Sequence, residues 1–138
     1  MNDMPMPPHA PEAEMAVLGS MMIEKEAAER ALEILDETQF YSDAHRMLFR
    51  VLEGLHRAGK GIDLVTVGEE LRKLKLLAGI GGLDALNGMV HKVATAAHVE
   101  HYARIVHDKA VLRDLIRSAT GILQDCYSEK DTALLLDE

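Results

Sequence analysis

A chain of 138 residues with one cysteine carries a net charge of −8, from 15 Lys and Arg against 23 Asp and Glu. That length supports one domain, or one domain with an appendage, and needs no covalent staple. The acidic balance sets most of the surface against a DNA duplex or an anionic membrane, and a chain with no Trp, three Tyr and two Phe has little on which to stack single-stranded bases.

Cys126, the single cysteine, rules out an internal disulfide and fits a reducing compartment. No run reaches the ~18 apolar residues of a membrane span. Met15–Ile23 lies too far behind an acidic start for a signal peptide, so the cytoplasm is the expected location. Acid is concentrated early: between Glu12 and Asp43 nine acidic side chains face only Lys25 and Arg30.

Residues 1–11 hold all four prolines and read as a flexible arm. Glu12–Ile23 follows as a helix apolar on most faces, which marks it as central. Its methionines, Met15, Met21 and Met22, are adaptable core filler. Glu24–Leu35 places Ala28, Ala31, Leu32 and Leu35 on one side with charges opposite. Ser42-Asp43 makes a good helix start, because a hydroxyl and a carboxylate both favour the free amides there. The helix that follows shows Leu48, Val51, Leu52 and Leu55 and stops at Gly59 and Gly61. Residues 62–67 favour a strand by propensity, but a lone strand has no ladder partner. With Leu64, Val67, Leu71 and Leu74 at helical spacing and Asp63 as a cap, the segment is expected to be helical. Gly79, Gly81 and Gly82 mark a turn, and Leu83, Leu86, Val90 and Val93 a further short helix.

Thr95–Cys126 reads as one helix of about 30 residues, more than twice the usual ~11–12, with Thr95 capping its start. Val99, Tyr102, Ala103, Val106 and Ala110, then Leu112, Leu115, Ile116, Ala119, Ile122 and Leu123, read as one continuous apolar stripe. A small domain cannot bury all of it. The first half is expected to close a globular head and the second to project towards another surface. A turn at 127–131, with a capping-box-like start at Ser128, leads to a last helix bearing Leu134, Leu135 and Leu136. Barely two turns long, that helix is poorly supported alone and is expected to pair antiparallel with the second half of the long helix. The expectation is an all-α chain: an arm over 1–11, a compact multi-helix head over 12–96, and a helical hairpin over 97–138 whose second helix is cut short at the C-terminus.

Catalytic patterns are weak. Residues 54–61 approach the phosphate-binding pattern G-x-x-x-x-G-K-[ST]. However, Gly61 stands where the Mg²⁺-holding hydroxyl belongs, and a helix leads in where a strand should. A helix end and turn explains the segment better. His98 and His101 can share a helical face, with His91 or His107 in range, but no third and fourth ligand converge by spacing. His45, just inside a helix start, is expected to pack on Tyr41 or bond to backbone. Ser20, Ser42, Ser118, Ser128 and Cys126 lack the neighbours of a nucleophile. The residues predict no enzyme, no metal and no cofactor.

Pro11-Glu12-Ala13-Glu14 followed by Val17-Leu18-Gly19 resembles the opening signature of bacterial replicative helicases of the DnaB type. Phe40-Tyr41-x3-His45-Arg46-x2-Phe49, Asp63-Leu64-Val65-Thr66-Val67 and Ile80-Gly81-Gly82 match that family in order and spacing. Thr95-Ala96-Ala97-His98-Val99, Tyr102-Ala103-Arg104-Ile105-Val106 and Leu112-Arg113 complete the set, so the likeness runs from about residue 8 to the end. Ala94, where the family usually has proline, and Ala10-Pro11, in place of a polar pair, depart from it.

The resemblance implies an N-terminal domain without ATPase activity, an all-α head followed by a hairpin. The motor, with its phosphate loop, ATP and Mg²⁺, would follow beyond residue 138. It implies a collar of six copies arranged as a trimer of hairpin-paired dimers, which docks the C-terminal domain of primase. A helicase loader is a further candidate partner, and nucleic acid is contacted weakly or only through the full ring. The expected oligomer and primase interface comprises Leu112, Arg113, Leu115, Ile116, Arg117, Ala119, Ile122, Leu123 and Leu134. The alternative is a freestanding α-helical adaptor without a motor.

Overall fold

The fold, a computed structural model, describes residues 5–128 and residue 136. Its elements are α1 (Pro11–Ile23), α2 (Lys25–Ile34), α3 (Asp43–Arg57), α4 (Leu64–Lys73), α5 (Leu77–Ile80), α6 (Gly82–Lys92) and α7 (Val99–Tyr127). Single 3₁₀ turns lie at Glu37–Gln39 and Ala96–His98, and no strand occurs among the described residues. The chain is all-α, as expected.

Helix α1 is the centre. It packs on α2, α3, α6 and α7, and Val17, Leu18 and Met21 are wholly inaccessible. An apolar helix with no polar face has this one place to go. Gly19 is the contact point with α6: an added Cβ would overlap the Met89 carbonyl and the Val93 side chain. Phe40 and Phe49 fill the floor beneath, their ring centroids 4.9 Å apart.

The caps expected from sequence form. The Ser42 hydroxyl accepts from the His45 amide at 3.4 Å, and the Asp63 carboxylate accepts from the Thr66 amide at 2.8 Å. That Asp63 bond starts α4, so the strand-like run 62–67 is helical from Leu64 onward. Two details differ from expectation. Thr95 caps the 3₁₀ turn at Ala96–His98 rather than α7 itself, because the tighter turn must reorient the chain before the long helix begins. The glycines around residue 80 end a separate single-turn helix, α5, with Gly81 at φ +105° and Gly82 at φ +77°.

The arm meets the head from Pro7 onward. His9 Nδ1 bonds to the Pro7 carbonyl at 2.8 Å, and the His9 ring stacks on Tyr41 at 4.6 Å between centroids. Of the expected second hairpin helix, all but Leu136 lies outside the described residues, and so does the turn after Ser128.

The stripe on α7 is not continuous. Val99, Ala103, Val106 and Ala110 are buried against the head, whereas Leu112, Leu115, Ile116, Ile122 and Leu123 are exposed. At ~100° per residue the first set spans a sector of about 60°, and the second is centred roughly opposite it. The step from Ala110 to Leu112 is two residues, a swing of ~200°. The apolar stripe changes sides there.

Candidate interaction surface on the projecting helix

From Asp114 to Tyr127 no residue of α7 is buried. At 1.5 Å per residue this half stands ~21 Å beyond the head. Leu112, Leu115, Ile116, Ile122 and Leu123 are between 43% and 60% exposed, and exposed Ala119 lies on the same face. A row of large aliphatic side chains in water is the mark of a surface that another surface covers. Arg117 sits beside the row and pairs with Asp114 one turn earlier. Leu134 lies outside the described residues.

Arg113 points the other way. It is 6% exposed and its guanidinium is directed into the head. One Nη donates to the Pro8 carbonyl and the other to the Gln39 carbonyl, both at 2.8 Å. The Tyr41 ring centroid lies 5.3 Å from Cζ. Burial lowers the Arg113 pKa, and the carboxylate of Glu14 opposes that effect.

Glu14 is the residue that sequence reasoning passed over. It is buried on α1, and its carboxylate accepts from the Tyr41 amide at 2.8 Å and from the Ser42 amide at 3.5 Å. Nδ1–H of His45 donates to the same group at 2.7 Å. The His45 ring was expected to pack on Tyr41 or bond to backbone, and it bonds instead to the Glu14 side chain. A legible signal existed: of the two carboxylates that open the otherwise apolar α1, Glu12 and Glu14, one drawn into the core must find donors, and the free amides ahead of α3 supply them. Glu14, Tyr41, His45 and Arg113, all within the signature segments, thus meet in one buried knot under the arm.

A second tie holds the start of α7. The Glu100 carboxylate accepts from Arg30 Nη2 at 2.8 Å and from Arg104 Nη2 at 2.9 Å. Those hydrogen bonds, Arg30 first, hold its pKa down to about 2.

The segment 54–61 ends α3 rather than binding phosphate. The amides of Ala58, Gly59 and Lys60 donate to the carbonyls of Gly54, His56 and Leu55, so the groups that would cradle an anion are already committed. Lys25, His56 and Lys60 line an open cavity of about 350 Å³ beside it, where cations complement the carbonyl end of α3. Among the described residues no three His, Cys, Asp or Glu side chains are grouped as metal ligands. Among the described residues no helix is long and apolar enough to cross a membrane.

The fold has known counterparts. A family model described as the DnaB-like helicase N terminal domain matches residues 6–108. The chain is 46% identical over 133 residues to the replicative DNA helicase DnaB of Geobacillus stearothermophilus, which covers 96% of this chain and 29% of that protein. It is 41% identical over 126 residues to the replicative DNA helicase DnaC of Bacillus subtilis, covering 91% and 28%. The chain therefore spans less than a third of the length of these relatives. A crystal structure of the N-terminal domain of DnaB helicase from Mycobacterium tuberculosis aligns with a TM-score of 0.90 at 37% identity, covering 95% of this chain and 93% of that one.

Proposed function

The chain belongs to the DnaB-like helicase N-terminal domain family, and from that premise we propose that it is the non-catalytic collar of a hexameric replicative DNA helicase. In this reading the chain assembles as paired dimers, three to a ring, and docks the C-terminal domain of primase. The motor, with its ATP and Mg²⁺, lies in the remainder of the full-length protein. The reading places the chain in the cytoplasm, with a helicase loader as a further candidate partner.

The exposed Leu/Ile row on the projecting half of α7 carries this reading. Each large side chain contributes up to about 1.5–3 kcal/mol when fully covered. Two copies of the row meeting each other offset an association cost of about 4–15 kcal/mol. The row faces away from its own head, so a partner can reach it without displacing the core.

Two measurements test the proposal. Light scattering should give a mass above that of one chain, and Ile116→Asp should return it to one chain. Calorimetric titration with the C-terminal domain of primase from the same source should show saturable binding that Ile116→Asp or Ile122→Asp weakens. A parent chain of monomer mass that takes up no primase domain would remove the support for both roles.

A further inference from the structure

Arg113 was expected on the exposed row, and the fold turns it inward at a telling place. It is the last buried residue of α7, and from Asp114 to Tyr127 no residue of the helix is buried. Its two carbonyl partners come from segments 105 and 74 positions away in sequence. One is Pro8 in the arm and the other is Gln39 at the end of the first 3₁₀ turn. Tyr41, over which the guanidinium lies, also stacks on His9 of the arm. Arm, turn and projecting helix therefore meet on one side chain.

The chemistry of the contact is directional. Arg113 bonds to neutral carbonyls and, among the described residues, to no carboxylate, so these bonds specify position rather than neutralise charge. A planar guanidinium can reach two carbonyls at once, whereas an ammonium is a single point donor on a flexible stem. The rest of the α7 footing favours a second restraint. Ala103 and Ala110 offer smooth, small contacts, and the Arg30–Glu100 tie lies at the far end of the helix.

We infer that Arg113 is a positioning residue: by bolting the arm to α7 at its exit from the head, it sets the direction in which the projecting half presents its apolar row. The lever magnifies any looseness. About a pivot at Val106, a slip of 1 Å at Arg113 becomes ~3 Å at Tyr127, from a rise of 1.5 Å per residue. A two-fold partner requires both copies to project at matching angles. The bolt thus governs the geometry of the surface, whatever covers it.

The native Cys126 is exposed near the tip of the lever and takes a spin label without further engineering. A second label on Glu26→Cys, at an exposed position of α2, allows the head-to-tip distance to be measured by pulsed electron resonance. Dilution into excess unlabelled protein removes signals between copies. The parent should give one narrow distribution. Arg113→Met, and separately a chain lacking residues 1–9, should shift or broaden it by ~3 Å or more. Arg113→Lys, able to satisfy only one carbonyl, should fall between them. If the head loses helicity in Arg113→Met, the arm-deleted chain decides, because it removes Pro8 and His9 without opening the core. A parental distribution in a folded arm-deleted chain overturns the inference. This readout does not depend on pairing, so it stands or falls separately from the collar role.

Discussion

The two halves of α7 invert what their composition suggests. The half with the smaller apolar side chains, Val99, Ala103, Val106 and Ala110, is the buried one. The half with the larger ones, Leu112, Leu115, Ile116, Ile122 and Leu123, stays in solvent. Small residues allow α7 to approach α1 and α2 closely, and interaxial distance follows the side chains at the contact. The larger apolar side chains are left uncovered by the head. Buried and exposed apolar faces thus follow one another along one helix, divided at the Ala110–Leu112 step by a change of side.

The largest effect should come from attacking the buried half. Val106→Asp places an unpaired carboxylate at a site 1% exposed; the head should lose about 4 kcal/mol or more, read as a collapse of the urea midpoint. Gly19→Ala should cost about 1–3 kcal/mol, since the new methyl meets Met89 backbone that cannot swing aside. A midpoint within error of the parent would show that α1 and α6 part easily.

Glu100 offers a smaller, pH-dependent handle on the start of α7. Its carboxyl titrates near 2 in the folded chain against an ordinary 4.5, so folding favours the ionised form. The stabilisation is therefore fully present above pH ~4.5 and is lost as pH falls towards ~2. Glu100→Gln should differ from the parent by a constant small amount at neutral pH, because the bridge is solvent-exposed. The difference should shrink below pH ~4.5, and a constant gap in thermal midpoints down to pH 2 would contradict the assignment.

The smallest effect on stability should come from the exposed half. Ile116→Asp, the same kind of change as Val106→Asp, should change the unfolding free energy of the head by no more than ~0.5 kcal/mol while disrupting assembly. Equal losses of stability at residues 106 and 116 would erase the distinction between the two halves.

Much of this was legible locally. Caps at Ser42 and Asp63 start α3 and α4 because a side-chain acceptor and an unpaired amide need only a few residues to find each other. The strand-like run 62–67 became helix for the reason anticipated: no partner strand exists among the described residues. The break in the stripe was also written in the sequence, in the two-residue step at Ala110–Leu112, but a reading that follows spacings of three and four passes over it. Arg113 was misleading because its neighbours, Leu112, Leu115 and Ile116, all lie on the outward row.

Composition and periodicity by themselves determined an all-α chain, an apolar central α1, and a long helix with more apolar surface than one head can cover. These follow from local rules, since helix period, caps and side-chain polarity act over a few residues. Only the tertiary structure decided which face of α7 meets the head, and that Glu14 and Arg113 join distant segments beneath the arm. A helix turns ~100° per residue, so its orientation is fixed by what packs on it. A bond between residues 8 and 113 leaves no periodic trace in the sequence, because its partners become neighbours only after the core has closed.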